Sequence, residues 1–171
     1  QLQVLDMSLN YLQHIPPSIK QLHLKELSLD QNQLISLPEE LWELTTLEEL
    51  EIWGNPLKSI SPNIKQLSNL RELYMAQIEL TELPPEIGQC SQLNHLEMEQ
   101  NYLKMIPSEI GQCSQLKYLS LAENQLQALP KEIGLLNQLE ELYLNKNQLT
   151  ELPSEIQQLS KLKYLNLAQN P

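Results

Sequence analysis

The sequence is short of basic residues and of glycine, and each shortage excludes a class of function. Its 171 residues contain 11 Lys and Arg against 22 Asp and Glu, which gives a formal net charge of -11 and a pI near 4.7. So acidic a chain does not favour nucleic acid as a partner, because phosphate contacts need cations. Its four glycines form neither a G-x-G-x-x-G string nor a P-loop, which argues against nucleotide chemistry in this segment.

Long apolar runs are also missing. Polar residues interrupt every apolar run within a few positions, so the sequence predicts no membrane-spanning helix. The chain opens at Gln1 without a charged and then apolar leader, which leaves both a cytoplasmic and a secreted location open.

What the sequence does contain is one motif repeated along its whole length. The motif is L-x-x-L-x-L-x-x-N-x-L-x-x-L-P-x-x-I, and its asparagine position, which we call the register residue, recurs after 22 and then every 23 residues. The register residues are Asn10, Asn32, Asn55, Ile78, Asn101, Asn124, Asn147 and Asn170. A fixed period of this length is typical of a solenoid. We therefore interpret residues 1–171 as a single array of seven full repeats and a truncated eighth, with capping segments apparently missing.

The motif resembles that of the leucine-rich repeat family, and the resemblance covers essentially the whole chain. The 23-residue form with L-P-x-E-I-G, at Leu83–Gly88, is similar to bacterial proteins of the leptospiral type. It is also similar to eukaryotic scaffolds such as Scribble and Ras-pathway adaptors. The resemblance implies an α/β fold, a right-handed solenoid with a concave parallel β-sheet and short helical or 3₁₀ segments on the convex side. The resemblance to the leptospiral type also leaves secretion and host interaction open.

Each repeat has a physical interpretation that does not depend on the resemblance. Alternation around Leu96 and Met98 puts these two side chains on one face of a short strand and their polar neighbours on the other. The register asparagine has donors and an acceptor, so we expect it to satisfy buried peptide groups and to form a ladder across the repeats. The proline six positions later, such as Pro130, suits the first position of a helical turn, with Glu132 complementing the dipole.

Some positions depart from the pattern. Ile78 replaces the register asparagine, and we expect local rearrangement there, either as neutral drift or as a bend or contact at mid-solenoid. In the repeat before that of Ile78, Pro62 stands one place later than the equivalent prolines of the other repeats. Cys90 and Cys113 share one position in consecutive repeats, where others have leucine, so we expect small buried hydrophobic side chains rather than a disulfide. Trp42 is expected to pack between repeats.

The outward side of the predicted sheet is unusual in charge. The positions six, four and two before the register residue form three rows, in which nine of 24 residues are acidic and none is Lys or Arg. Adjacent like charges destabilise a sheet, so stability does not explain why these rows are so rich in acidic residues. Trp53 and Tyr74 lie among the acids and resemble the apolar anchors of binding hot spots.

We predict that this face binds a protein with a basic, partly apolar surface. The predicted contact residues are Glu26, Glu49, Glu51, Trp53, Glu72, Tyr74, His95, Glu97, Glu99, Tyr118 and Tyr143. Basic residues one place earlier in the repeat are expected along one rim, pairing weakly with the acids. These are Lys25, Arg71, Lys117 and Lys163.

Three alternatives remain open from the sequence. The charges could serve only to keep a solvated sheet from aggregating. The array could be the recognition or targeting part of a larger enzyme, such as a ligase or a GTPase, whose catalytic domain lies outside this segment. It could also self-associate through uncapped ends.

We predict no catalytic residue, no metal site and no cofactor. His95 and the glutamates around it share a face, but a flat sheet with one imidazole and no cysteine rarely brings ligands to tetrahedral distances. Glu49 and Glu51 are spaced like a glycosidase pair, yet we expect an open sheet to supply no pocket that raises the pKa of one of them.

Overall fold

The structure is a computed structural model, and it describes residues 2–171. Eight short strands form one parallel sheet, in which every strand pairs with its neighbours in sequence. The strands are β1 (Val4–Asp6), β2 (Glu26–Ser28), β3 (Glu49–Glu51), β4 (Glu72–Tyr74), β5 (His95–Glu97), β6 (Tyr118–Ser120), β7 (Glu141–Tyr143) and β8 (Tyr164–Asn166). This order, with one return segment per repeat, confirms the predicted solenoid.

The return segments are 3₁₀ helices of five residues each. They are η1 (Pro17–Gln21), η2 (Glu39–Glu43), η3 (Pro62–Gln66), η4 (Pro85–Gln89), η5 (Ser108–Gln112), η6 (Lys131–Leu135) and η7 (Ser154–Gln158). The position expected for the repeated proline was wrong by one residue. Pro130 and its equivalents are the N-cap, with extended backbone (φ -66, ψ 145 at Pro130), so the ring fixes the chain just before the helix. Glu132 lies in the first turn, as predicted.

The core is a continuous stack of aliphatic side chains between the sheet and the 3₁₀ segments. The central residue of each of β2 to β7 is a leucine with 0% of its surface exposed, as Leu50 and Leu96 illustrate. Cys90 and Cys113 are also fully buried and form no disulfide, which confirms their expected role as core residues. Burial of a Leu-sized side chain contributes roughly 1.5–3 kcal/mol, and here that contribution needs the neighbouring repeats.

The register asparagines form the expected ladder. The Asn124 amide nitrogen donates to the carbonyl oxygens of Leu121 (3.2 Å) and Ala122 (3.2 Å) in its own repeat and of Met98 (2.9 Å) in the preceding one. Its carbonyl oxygen accepts from the backbone N–H of Leu103 at 3.1 Å. The Met98 carbonyl also accepts from the amide of the preceding register residue, Asn101, at 3.0 Å. Each amide therefore serves two repeats, and neighbouring amides share an acceptor.

Ile78 interrupts this ladder and is itself fully buried. The carbonyl groups that an asparagine here would reach keep other donors. The Asn55 amide donates to the Ile52 carbonyl at 3.0 Å, and the Asn101 amide donates to the Met75 carbonyl at 2.9 Å. The group that loses its side-chain partner is the backbone N–H of Leu57, the equivalent of Leu103 N–H in the regular repeats. It donates instead to the carbonyl of its own register residue, at 2.9 Å.

The backbone around this turn rearranges to make that substitution possible. In every repeat the residue before the register residue has positive φ, but Lys58 (φ 66) and Glu79 (φ 60) are additional left-handed residues. The Lys58 N–H donates forward to the Ile78 carbonyl at 2.8 Å, and the two additional residues approach to 3.9 Å as an ion pair. The expected local rearrangement at Ile78 is thus confirmed, and the adjoining Pro56, which has no N–H, belongs to it.

Packing between 3₁₀ segments also differs along the chain. A Cβ added to Gly111 would lie 2.5 Å from the Glu132 carbonyl oxygen of the next segment, so glycine allows close nesting there. Trp42 occupies the equivalent position in η2 and is 1% exposed, which confirms that it packs between repeats. Its indole nitrogen has no hydrogen-bond partner among the described residues.

Candidate functional site

The strand register brings the outward side chains together in rows. Residues that pair in the sheet include Glu26, Glu49 and Glu72 in one row and Glu51, Tyr74 and Glu97 in the next. Trp53 and Glu99 follow β3 and β5 by two residues and line the same surface. We call this surface, made by the positions six, four and two before the register residue, the sheet face.

The part of the sheet face over β2 to β4 is a cluster of carboxyl groups. Glu49 is half-buried, and burial, contact with the Glu51 carboxyl, and the charges of Glu72, Glu51 and Glu26 together raise its pKa to about 7. Asp30, which follows β2, is 6% exposed, and burial and then the charge of Glu51 raise its pKa as well. The cluster is therefore a region where negative charge lacks compensation.

This result corrects the expectation that an open sheet raises no carboxyl pKa at this position. Burial is the largest cause of the raised pKa of Glu49, and the neighbouring glutamates add to it, since carboxylates side by side disfavour simultaneous ionisation. A glycosidase pair is still not formed. The carboxyl groups of Glu49 and Glu51 contact each other directly, whereas retaining glycosidases hold theirs about 5 Å apart around the scissile bond.

The rim is paired, but with different acids from those expected. Glu48 forms ion pairs with Lys25 (3.1 Å) and Arg71 (3.5 Å), and Glu140 pairs with Lys163. Glu48 and Glu140 occupy the same repeat position as the basic residues, so three of the four basic residues pair within the rim. The expected pairing with the acids of the sheet face was wrong in its partners, and these ion pairs leave that face its charge.

Over β4 to β8 the sheet face has a continuous line of aromatic and imidazole rings, which we call the ring row. Centroid distances are 5.0 Å from Tyr74 to His95, 4.2 Å from His95 to Tyr118, 5.2 Å from Tyr118 to Tyr143 and 5.0 Å from Tyr143 to Tyr164. His95 and Tyr118 are stacked with an interplanar angle of 3°. The sequence analysis placed Tyr74, His95, Tyr118 and Tyr143 on one face, and it missed that His95 connects the tyrosine rings.

Carboxylates hold the rings in place from the same strand. The Tyr74 hydroxyl donates to Glu72 at 2.6 Å and the Tyr143 hydroxyl to Glu141 at 2.7 Å. The bond to Glu141 is the main reason that the pKa of Tyr143 rises to about 12. Because each hydroxyl is turned toward a carboxylate, the tyrosines are fixed in orientation and present apolar surface between charges.

The His95 side chain also contacts a carboxyl group of its own strand. Its Nε2 lies 2.8 Å from Glu97 Oε1. Within residues 2–171, no group of three or more His, Cys, Asp or Glu side chains converges in a way that could hold a metal ion. Among the described residues, none of the helices has the length and apolar character that crossing a membrane requires.

The sheet face also has a shallow hollow of about 610 Å³ beside the ring row. Trp53, Tyr74, Tyr118, Glu97 and Glu99 are among the residues that line it. Glu99 is mostly buried, and this burial raises the pKa of its carboxyl, against which the Ser120 hydroxyl bond acts in the opposite direction. Its Oε2 atom is shielded and has no hydrogen-bond partner among the described residues.

Comparisons with known proteins agree with this architecture. A family model described as Leucine Rich Repeat matches residues 1–22 and 23–44, and one described as Leucine-rich repeat region matches residues 107–170. No curated protein sequence gives a significant match. A leucine-rich repeat protein of Leptospira interrogans has a similar structure, with a TM-score of 0.95 and 40% identity over 99% of this chain and 43% of that one.

Two further solved structures show how widely the fold recurs. An internalin of Listeria monocytogenes matches with a TM-score of 0.81 and 30% identity over 92% of this chain and 45% of its own. The ectodomain of a plant membrane receptor kinase from Arabidopsis thaliana, in complex with Casparian strip integrity factor 2, matches with a TM-score of 0.86 and 37% identity over 96% of this chain and 21% of its own. The chain thus spans less than half the length of these three proteins. It belongs to the leucine-rich repeat family and resembles the bacterial members of that family.

Proposed function

We propose that this chain is a non-catalytic interaction module whose sheet face binds a protein with a basic, partly apolar surface. Leucine-rich repeat domains are typically binding modules without enzymatic activity, and the plant receptor ectodomain named above was solved with a bound factor. The contact residues we propose are the eleven predicted from the sequence.

The observation that carries the proposal is the charge pattern of the sheet face. Its carboxylates lie side by side at a cost in stability, while Lys25, Arg71 and Lys163 of the rim pair with Glu48 and Glu140 instead. A partner that supplies cations would relieve this repulsion and would be steered toward the face. The rings between the carboxylates offer rigid apolar contact area of the kind that dominates binding energy at interfaces.

A randomised peptide library displayed on phage and selected against the purified chain tests the proposal. We expect enriched peptides to combine Lys or Arg with aromatic or aliphatic residues. Their affinity should fall with rising ionic strength, because exposed charges are screened over about 10 Å at 0.1 M salt.

Variants of the chain then locate the binding surface. Trp53→Ala combined with Glu72→Lys should weaken binding of the enriched peptides by about tenfold or more, since it removes an anchor and reverses a charge. Glu109→Lys changes the same charge on the 3₁₀ side, at η5, and should leave binding unchanged. Enrichment of neutral or acidic peptides, or equal binding to the double variant, would contradict the proposal.

A further inference from the structure

The hollow beside the ring row contains a carboxyl oxygen without a hydrogen-bond donor among the described residues. Glu99 Oε2 is shielded from solvent and accepts no hydrogen bond within residues 2–171, although the same carboxyl has a contact with the Ser120 hydroxyl. A buried carboxylate oxygen without a donor destabilises the folded state. The lining of the hollow contains no Lys or Arg that could supply the donor by a change of rotamer. Gln100 and Asn145 also line the hollow and have amide donors, but no Lys or Arg among the lining residues balances the charge of Glu97 and Glu99, so the hollow favours a cation from another molecule.

The walls of the hollow narrow the chemistry of that donor. The aromatic side chains of Trp53, Tyr74 and Tyr118 line the hollow, and Trp53, which is partly exposed, takes no part in the ring row. Glu97 adds a second negative charge beside Glu99. A group that fits must be cationic, must donate hydrogen bonds, and must tolerate contact with aromatic faces.

A guanidinium group meets all three conditions. It is planar, remains charged at any accessible pH, donates to carboxylates in a fixed fork and stacks on aromatic rings. A lysine ammonium is more strongly hydrated and would lose more on leaving water. An uncharged amide donates hydrogen bonds but leaves the charge of the two glutamates uncompensated.

We propose that this hollow is the subsite for an arginine side chain of the protein partner, whose guanidinium donates to Glu99 and packs against Trp53. The inference rests on the proposed function, because it specifies what part of a basic partner enters the sheet face. It predicts that arginine is required at one position of the partner, while basic residues elsewhere along the face are interchangeable with lysine.

Small-molecule probes test the subsite directly. N-acetyl-arginine amide, N-acetyl-lysine amide and N-acetyl-citrulline amide are titrated into the chain while the two indole N–H resonances are followed by NMR. We expect the arginine probe to shift the Trp53 resonance saturably and to bind about tenfold more tightly than either other probe. The Trp42 resonance, from a residue 1% exposed in the core, should not move and serves as an internal report of folding.

Substitution of the acceptor completes the test. Glu99→Gln keeps the shape of the side chain, removes its charge, and should weaken the arginine probe about tenfold, while Glu109→Gln on the 3₁₀ side should change nothing. Equal binding of the three probes, or unchanged arginine binding by Glu99→Gln, would overturn the inference.

The phage-selected peptides separate this inference from the proposed function. If they bind the sheet face but tolerate replacement of every arginine by lysine, the interaction module stands and the arginine subsite is wrong. If no peptide is selected and the arginine probe also fails, both are wrong.

Discussion

The first four strands and the last four share one backbone plan and one leucine core, and they differ in the sheet face, in one turn and in the packing of the return segments. Over β1 to β4 half of the sheet-face residues are acidic, the turn after β4 lacks its asparagine, and Trp42 packs between the return segments. Over β5 to β8 the face bears rings, the asparagine ladder is complete, and segments such as that of Gly111 are closely nested. The difference teaches that this scaffold tolerates local change as long as backbone groups keep partners.

We expect loss of a register asparagine to destabilise the half with the complete ladder, β5 to β8, even though the chain accommodates Ile78 at this position of another repeat. Asn124→Ile leaves the buried N–H of Leu103 without its acceptor, in a turn whose backbone has not been rearranged. We expect the free energy of unfolding, measured by urea denaturation, to fall by about 2 kcal/mol. Gln127→Ile, at an exposed position three residues later, is the control. A loss below about 0.5 kcal/mol would show that the two halves do not differ in this respect.

The acidic half should respond to pH through Glu49. Its pKa of about 7 in the folded chain lies above the unfolded value near 4.5, so the folded state binds more protons between these limits and stability falls as pH rises through them. Glu49→Gln should therefore exceed the wild type in unfolding free energy by about 1 kcal/mol near pH 8, after allowance for its partial exposure, and match it near pH 4.

The matched substitution in the ring-bearing half is Glu141→Gln. Glu141 occupies the same row as Glu49, but its sheet neighbours are Tyr118 and Tyr164 rather than glutamates. We expect no stabilisation from it near pH 8, because no like charge in that row is relieved. An equal gain from both substitutions would mean that the acidic row is not the cause.

The smallest effect is expected where the ladder is already broken. Ile78→Asn restores an acceptor for the Leu57 N–H but replaces a fully buried apolar side chain and requires Lys58 to leave its left-handed conformation. These contributions oppose each other, so urea denaturation should show a change of less than about 1 kcal/mol. A loss near 2 kcal/mol would indicate that Ile78 acts mainly as a core residue.

Much of the fold was predictable because one period fixes it. Leucine alternation located the strands, and the register asparagine identified the turn, as the bonds of Asn124 show. The proline was misplaced by one residue because the sequence does not distinguish an N-cap from a first helical position, and a proline ring is compatible with both.

The sheet face was predictable in composition and less so in contacts. Rows of residues follow from the repeat, so the adjacency of Glu26, Glu49 and Glu72 was foreseeable. Rotamers do not follow from it, and they decide that His95 stacks on Tyr118 and that Glu99 keeps one oxygen without a donor. One signal was available, since aromatic residues in neighbouring rows of adjacent strands lie within reach of each other diagonally.

The sequential strand order has a consequence for how such a molecule changes over generations. Every strand bonds only to the strands before and after it in the chain, so duplicating or deleting a whole repeat leaves all remaining bond types intact. Such an event would move the carboxylates and the rings apart or together by one strand spacing, about 4.8 Å, without redesign of either. The distance between two recognition elements can therefore be altered in fixed increments while the elements themselves stay the same.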